Sequence, residues 1–147
     1  VIEVWTDGAC SQNPGPGGWA FVIQSAEGTT EGSGGHVSTT NNRMELMAAI
    51  QGLAELPDES GPIEVVSDSV YVVEGARVWM HKWKARGWRR AGGPLINVDL
   101  WKLLHAQVER LSPTFRWVKG HAGHALNERC DGLAVAAALR ATRKFST

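Results

Sequence analysis

The chain has 147 residues, 43% hydrophobic and 20% charged, a length and balance that suit one domain around a single buried core. No run approaches the ~18–20 apolar residues of a membrane span, and no charged-then-apolar leader opens the sequence, so a cytoplasmic protein is expected. The formal net charge is zero, which speaks against a polyanionic partner until the charge is followed along the chain. Trp79 to Arg90 carries Lys82, Lys84, Arg86, Arg89 and Arg90 and no acid, a segment of +5, and leaves −5 on the remainder. Cys10 and Cys130 fall in unrelated contexts and suit two reduced thiols better than a disulfide framework.

Val1 to Thr6 (VIEVWT) is a β-rich run that ends at Asp7-Gly8. A Gly/Pro loop is expected over Cys10 to Gly18, then strands near Trp19–Ser25 and Thr29–Val37, with Glu27-Gly28 as their hairpin turn. Asn41 to Leu56 is apolar at Met44, Met47, Ala48, Ile50, Leu53 and Leu56, the pattern of a largely buried helix, and Pro57 stops it. Ile63 to Ser67 is a second β-branched run and Ser69 to Ala76 reads as helix. Gly75 and Gly87 then punctuate the Trp-rich basic segment, which Ala91-Gly92-Gly93-Pro94 closes. Val98 to Leu111 is an amphipathic helix, Thr114 to Val118 a strand, and Leu126 to Thr142 an Ala-rich helix. No repeat or linker marks a second domain.

A meander followed by alternating strand and helix predicts an α/β fold: a mixed sheet with helices on its faces. The helix before Ile63–Ser67 makes a crossover that sets that strand parallel to the first. Asp7 and Asp68 then both lie at carboxyl ends of strands, where open α/β sheets place their sites.

Four acids stand out by context: Asp7, Glu45, Asp68 and Asp131, the last sharing a helix face with Asn127 four residues earlier. Each also has an ordinary role open to it. Asp7 and Asp68 suit turns or N-caps, the Asn42-to-Glu45 spacing suits a capping box, and Asp131 suits a solvated surface. Spacing alone does not bring all four together. Were they to converge, their repulsion would call for a cation or raised pKa values. Oxygen-only ligands suit Mg²⁺ or Mn²⁺, and two such ions ~3.5–4 Å apart can activate water and stabilise the leaving oxygen of a phosphodiester.

Five blocks carry a family likeness: Val4-Trp5-Thr6-Asp7-Gly8-Ala9-Cys10; Asn13-Pro14-Gly15-Pro16-Gly17-Gly18; Thr39-Thr40-Asn41-Asn42-Arg43-Met44-Glu45-Leu46; Asp68-Ser69; and Trp117-Val118-Lys119-Gly120-His121-Ala122-Gly123-His124 through Asn127-Glu128-Arg129-Cys130-Asp131. In this order, over nearly the whole chain, they resemble bacterial ribonuclease H, type 1. The resemblance implies a ribonuclease H-like fold with a five-stranded mixed sheet and helices on both faces, with residues 1–147 forming one catalytic domain. It also implies Mg²⁺-dependent cleavage of the RNA strand of RNA–DNA hybrids, to 5′-phosphate and 3′-hydroxyl products. It carries Asp7, Glu45, Asp68 and Asp131 over as metal ligands, and His121 as an aid to proton transfer or product release, roles a histidine near neutrality permits. His121 and His124 also have H-x-x-H spacing, but this motif supplies only two of the ligands that a zinc site needs.

Trp79, Trp83 and Trp88 interleave with the basic residues of the +5 segment. Tryptophans so placed pack into a core or lay aromatic faces on sugars while cations meet phosphates. Three tryptophans beside unopposed basic charge favour the second, and the resemblance makes residues 79–94 a protrusion gripping the DNA strand, Lys84 included. It also implies minor-groove contacts by Asn13, Asn41 and Asn42, a DNA-phosphate pocket of Thr40 and Asn97, and Cys10 and Gln12 near the RNA strand. Discrimination would then rest on 2′-hydroxyls and groove shape, with little base specificity. No obligate protein partner is evident, and a monomer is expected. Three residues depart from the family pattern: Val70 in place of a common Gln, Ala85 of a common Lys, and Ser38 of a common Arg. They predict weaker, salt-sensitive binding with unchanged chemistry. Two other readings stand beside this one. A binding module that has lost catalysis is opposed by the four intact acids. An integrase-like or junction-cutting nuclease on the same superfold is opposed by the third and fifth blocks.

Overall fold

The computed structural model describes residues 1–146, with side chains as far as Thr142. Its strands are β1 (Ile2–Cys10), β2 (Gly15–Ser25), β3 (Gly28–Thr39), β4 (Ile63–Ser67) and β5 (Thr114–Trp117). They form one sheet in the order β3-β2-β1-β4-β5. The first three pair antiparallel, whereas β1–β4 and β4–β5 pair in parallel. A parallel neighbour requires a crossover, and α1 (Asn41–Ala54) supplies it between β3 and β4.

Strand alternation sorts side chains to two faces. Val4, Phe21 and Val65 enter the larger core with Leu46 and Leu53 of α1 and with Trp101 and Leu104 of α4 (Val98–Leu111). Their neighbours Trp5, Val22 and Val66 point the other way, onto Cys130 of α5 (Ala125–Ser146). The expected mixed sheet with helices on both faces is therefore present.

Three differences from the sequence reading bear on the site and the basic segment. β1 does not end at Asp7; it continues to Cys10 because Gly8, Ala9 and Cys10 keep pairing with Trp19, Gly18 and Gly17. The expected loop over Cys10 to Gly18 correspondingly shrinks to residues 11–14, since backbone pairing recruits glycines that carry no strand signal of their own. Finally, Gly75 interrupts nothing. The chain runs from α2 (Val70–Glu74) through a π-helical turn (Gly75–Trp79) into α3 (Met80–Ala85). A Cβ on Gly75 would lie 2.0 Å from the Trp101 ring, so this glycine serves close packing of helix on helix. Gly87, at φ +71, does punctuate the segment as expected, just past the end of α3.

Candidate active site

β1 and β4 pair in parallel as far as Thr6 opposite Ser67. The next residue after each of these is an aspartate, so Asp7, within β1, stands beside Asp68, just past the end of β4. Glu45 reaches them from α1. That helix is capped by Thr40, whose hydroxyl accepts from the Arg43 N–H at 3.3 Å. The cap is thus Thr40 and not Asn42, and Glu45 makes no capping box; its carboxylate accepts from the Gly8 N–H on β1. The helix comes this close because Gly8 has no side chain: a Cβ there would lie 2.5 Å from the Glu45 nitrogen.

Asp7, Glu45 and Asp68 each offer a carboxylate oxygen within 4.8 Å of the others. Asp7 and Glu45 are both only 5% exposed. Burial pushes the Asp7 carboxyl up to about 7; bonds from Glu45 and the Gly8 N–H lower it, while the charges of Asp68 and Asp131 add to the rise. Burial, then the Asp7 charge, holds Glu45 well above the usual carboxylate range. Acids kept so close out of water fit a divalent cation with oxygen ligands, whose charge would offset both the burial and the mutual repulsion that raise them.

Asp68 is held from outside the trio. Asn127, buried on α5, donates to its Oδ2 at 3.3 Å, and the Trp117 indole donates to its backbone carbonyl at 3.0 Å. Neither was assigned a role from the sequence, although both fall in the fifth motif block and Asn127 shares a helix face with Asp131. Asp131 itself is not one of the trio. It sits half-buried one turn along α5 and acts on Asp7 through its charge. His121 is exposed at φ 56 in the loop before α5, and His124 turns away to put its ring 6.0 Å from that of Trp5. The H-x-x-H pair is thus divided between a solvent loop and a ring contact.

The expected nucleic-acid contacts fall into two groups. Asn13 Oδ1 accepts from the Asn41 N–H at 2.9 Å, tying the first loop to the start of α1, where Asn41 and Asn42 are exposed. Gln12 is exposed beside them, and the Cys10 thiol donates to its carbonyl at 2.7 Å. Thr40 and Asn97 meet through Arg43, a residue that sequence reasoning left without a role. Its guanidinium donates to Asn97 Oδ1 at 3.3 Å and takes Asp99 with two bonds of 2.9 and 2.7 Å. Asn97 in turn donates to the Tyr71 hydroxyl at 3.1 Å.

The basic segment divides differently from its sequence pattern. Trp83 is half-buried with its ring 5.3 Å from that of Trp101, and Trp88 lies 5.6 Å from His105. Both pack against the core, the alternative that the residue pattern had disfavoured. Trp79 is 37% exposed. Lys84 forms an ion pair with Glu109 of α4.

The sheet order and the acid trio define an α/β protein with a carboxylate cluster, suited to a divalent cation, where its parallel strand pairing ends. A family model for RNase H matches residues 1–139. The chain is 52% identical over 134 residues to "Ribonuclease HI" of Caulobacter vibrioides, covering 90% of this chain and 89% of that protein. To "Ribonuclease H" of Hahella chejuensis it is 49% identical over 135 residues, covering 91% and 90%. Among solved structures, LC9-RNase H1, a type 1 RNase H with the type 2 active-site motif, superposes with a TM-score of 0.83 at 33% identity, over 95% of this chain and 72% of that one. LC11-RNase H1 in complex with RNA/DNA hybrid gives 0.69 at 27% identity, over 97% and 99%. The chain belongs to the RNase H family. The family and the fold expected from the five motif blocks are borne out.

Proposed function

We propose that this chain hydrolyses the RNA strand of RNA–DNA hybrids endonucleolytically, with little sequence specificity, leaving 5′-phosphate and 3′-hydroxyl ends. The convergence of Asp7, Glu45 and Asp68 within 4.8 Å, where the parallel pairing of β1 and β4 stops, carries this reading. These three and Asp131 are the ligand set for divalent ions, Mg²⁺ by preference with Mn²⁺ able to substitute. Bound there, such ions supply an activated water and stabilise the departing oxygen.

The chain's own residues do the rest. The Gly8 N–H orients Glu45, and Asn127 orients Asp68. His121, on an exposed loop, gives or takes a proton at its imidazole or helps the product leave. Cys10, Gln12 and Asn13 of the first loop, with Asn41 and Asn42, line the hybrid's minor groove, and Thr40 and Asn97 receive a DNA phosphate beside Arg43. Residues 79–94 form the protrusion. Within it Trp79 offers an open aromatic face, Trp83 and Trp88 seat the segment on the core, and the cations, Lys84 among them, meet the DNA strand. That LC11-RNase H1, matched over most of both chains, is known in complex with an RNA/DNA hybrid supports this substrate. The chain works as one catalytic domain and as a monomer, in the cytoplasm; no helix of the described residues is long and apolar enough to cross a membrane.

The test is cleavage of a labelled hybrid with Mg²⁺ beside duplex DNA, duplex RNA and single-stranded RNA. Cutting confined to the RNA of the hybrid is expected; cutting of DNA duplexes, or none that depends on metal, would overturn the reading.

A further inference from the structure

We propose that Glu109 is a built-in competitor for Lys84 that restrains the grip of the basic protrusion on nucleic acid. The inference rests on the hybrid-binding reading above and concerns how strongly that surface binds. Of the five cations between Trp79 and Arg90, Lys84 alone has an ion-pair partner among the described residues, and that partner is Glu109 on α4. Lys82, Arg86, Arg89 and Arg90 are exposed.

An isolated surface pair would be a weak restraint, because holding two long side chains together offsets most of the attraction. Glu109 has a second neighbour besides Lys84. The oxygen that faces Lys84, Oε1, also lies 3.4 Å from His105 Nδ1. His105 is itself buried, its ring 5.6 Å from both His81 and Trp88. The acid thus lies between a core-seated histidine on one side and the lysine on the other. Its charge removes one unit from the +5 of the segment, and a phosphate that engages Lys84 must first displace a carboxylate already in place. The four stem carbons of Lys84 let the ammonium swing from one anion to the other without moving α3.

Glu109→Gln keeps the shape and removes the competing charge. Binding of an RNA–DNA hybrid is measured with the full chain in EDTA, where the strand is not cut, over a series of NaCl concentrations. Glu109→Gln should bind about two- to fivefold tighter, the range set by the worth of a surface pair. The slope of log K against log salt should steepen by about 0.9, one additional phosphate contact. The gain should vanish when Glu109→Gln is made in a Lys84→Met background. Unchanged affinity and slope, or a gain that persists without Lys84, would overturn the proposal, as would a loss of affinity accompanied by a lower melting temperature, which is the mark of a purely structural tie. Failure of the unaltered chain to bind the hybrid at any salt would instead remove the hybrid-binding reading itself.

Discussion

Burial, with the charges of Asp68 and Asp131, holds the Asp7 carboxyl at about 7 against its ordinary 3.8. A raised acid of this kind contributes stability that is fully present below 3.8 and is lost as pH rises through about 7. The metal-free protein is therefore strained at its own site near neutrality. Asp7→Asn should remove the strain, raising stability by about 2–4 kcal/mol at about pH 8, with the difference closing toward about pH 4. Thermal melts in EDTA across that range check this, and equal melting at the alkaline end would contradict it. The same variant should lose hybrid cleavage while remaining folded; retained turnover would remove Asp7 from the metal site. If His121 assists as proposed, His121→Ala should slow cleavage without abolishing it, because this residue adds no oxygen to the acid trio. Complete loss would give it an indispensable role. At this scale Asp7 and Asp68 were legible in the sequence, since each follows a β-branched run. Glu45 was not, because its spacing also suited a helix cap and its true partner, the Gly8 N–H, lies 37 positions away.

Helices and strands were legible wherever their periodicity was strong. Val98–Leu111 and Ile63–Ser67 have the bounds that the pattern predicts. The misreading at Gly75 has a physical cause. Glycine marks either a break or a place where another element comes close, and local sequence does not distinguish the two. Here the Trp101 ring occupies the space of a side chain. Gly75→Ala should therefore destabilise by about 1–3 kcal/mol through overpacking, although alanine is ordinarily the better helix former. Urea unfolding measures it, and a neutral or stabilising result would show that α4 can shift to make room. The tryptophans illustrate the same limit. Trp79, Trp83 and Trp88 look equivalent along the chain, yet Trp83 and Trp88 are anchored against Trp101 and His105, and Trp79 is left most open.

Across the whole molecule, neutrality conceals a polarised charge distribution. If hybrid binding uses the exposed cations of the protrusion, about four phosphate contacts predict a fall in affinity of roughly a hundredfold between about 50 and 200 mM salt. A flat response would dismiss the electrostatic account. Val70, Ala85 and Ser38 are all exposed and none supplies a carboxylate. They should loosen binding relative to a more basic relative and leave the cleavage step unchanged. Restoring Lys at Ala85 and comparing KM with kcat separates the two.

The sequence by itself determined the strand and helix periods, the aspartates that follow two β-branched runs, and the location of the basic segment, because these are properties of neighbouring residues. Only the tertiary structure decided that Glu45 joins Asp7 and Asp68 while Asp131 stands one turn away, that Asn127 steadies Asp68, and that Lys84 already has an anionic partner in Glu109. Those outcomes depend on how closely a helix can approach a sheet. That distance is set by whichever side chains, or missing side chains, meet across gaps that local spacing does not encode.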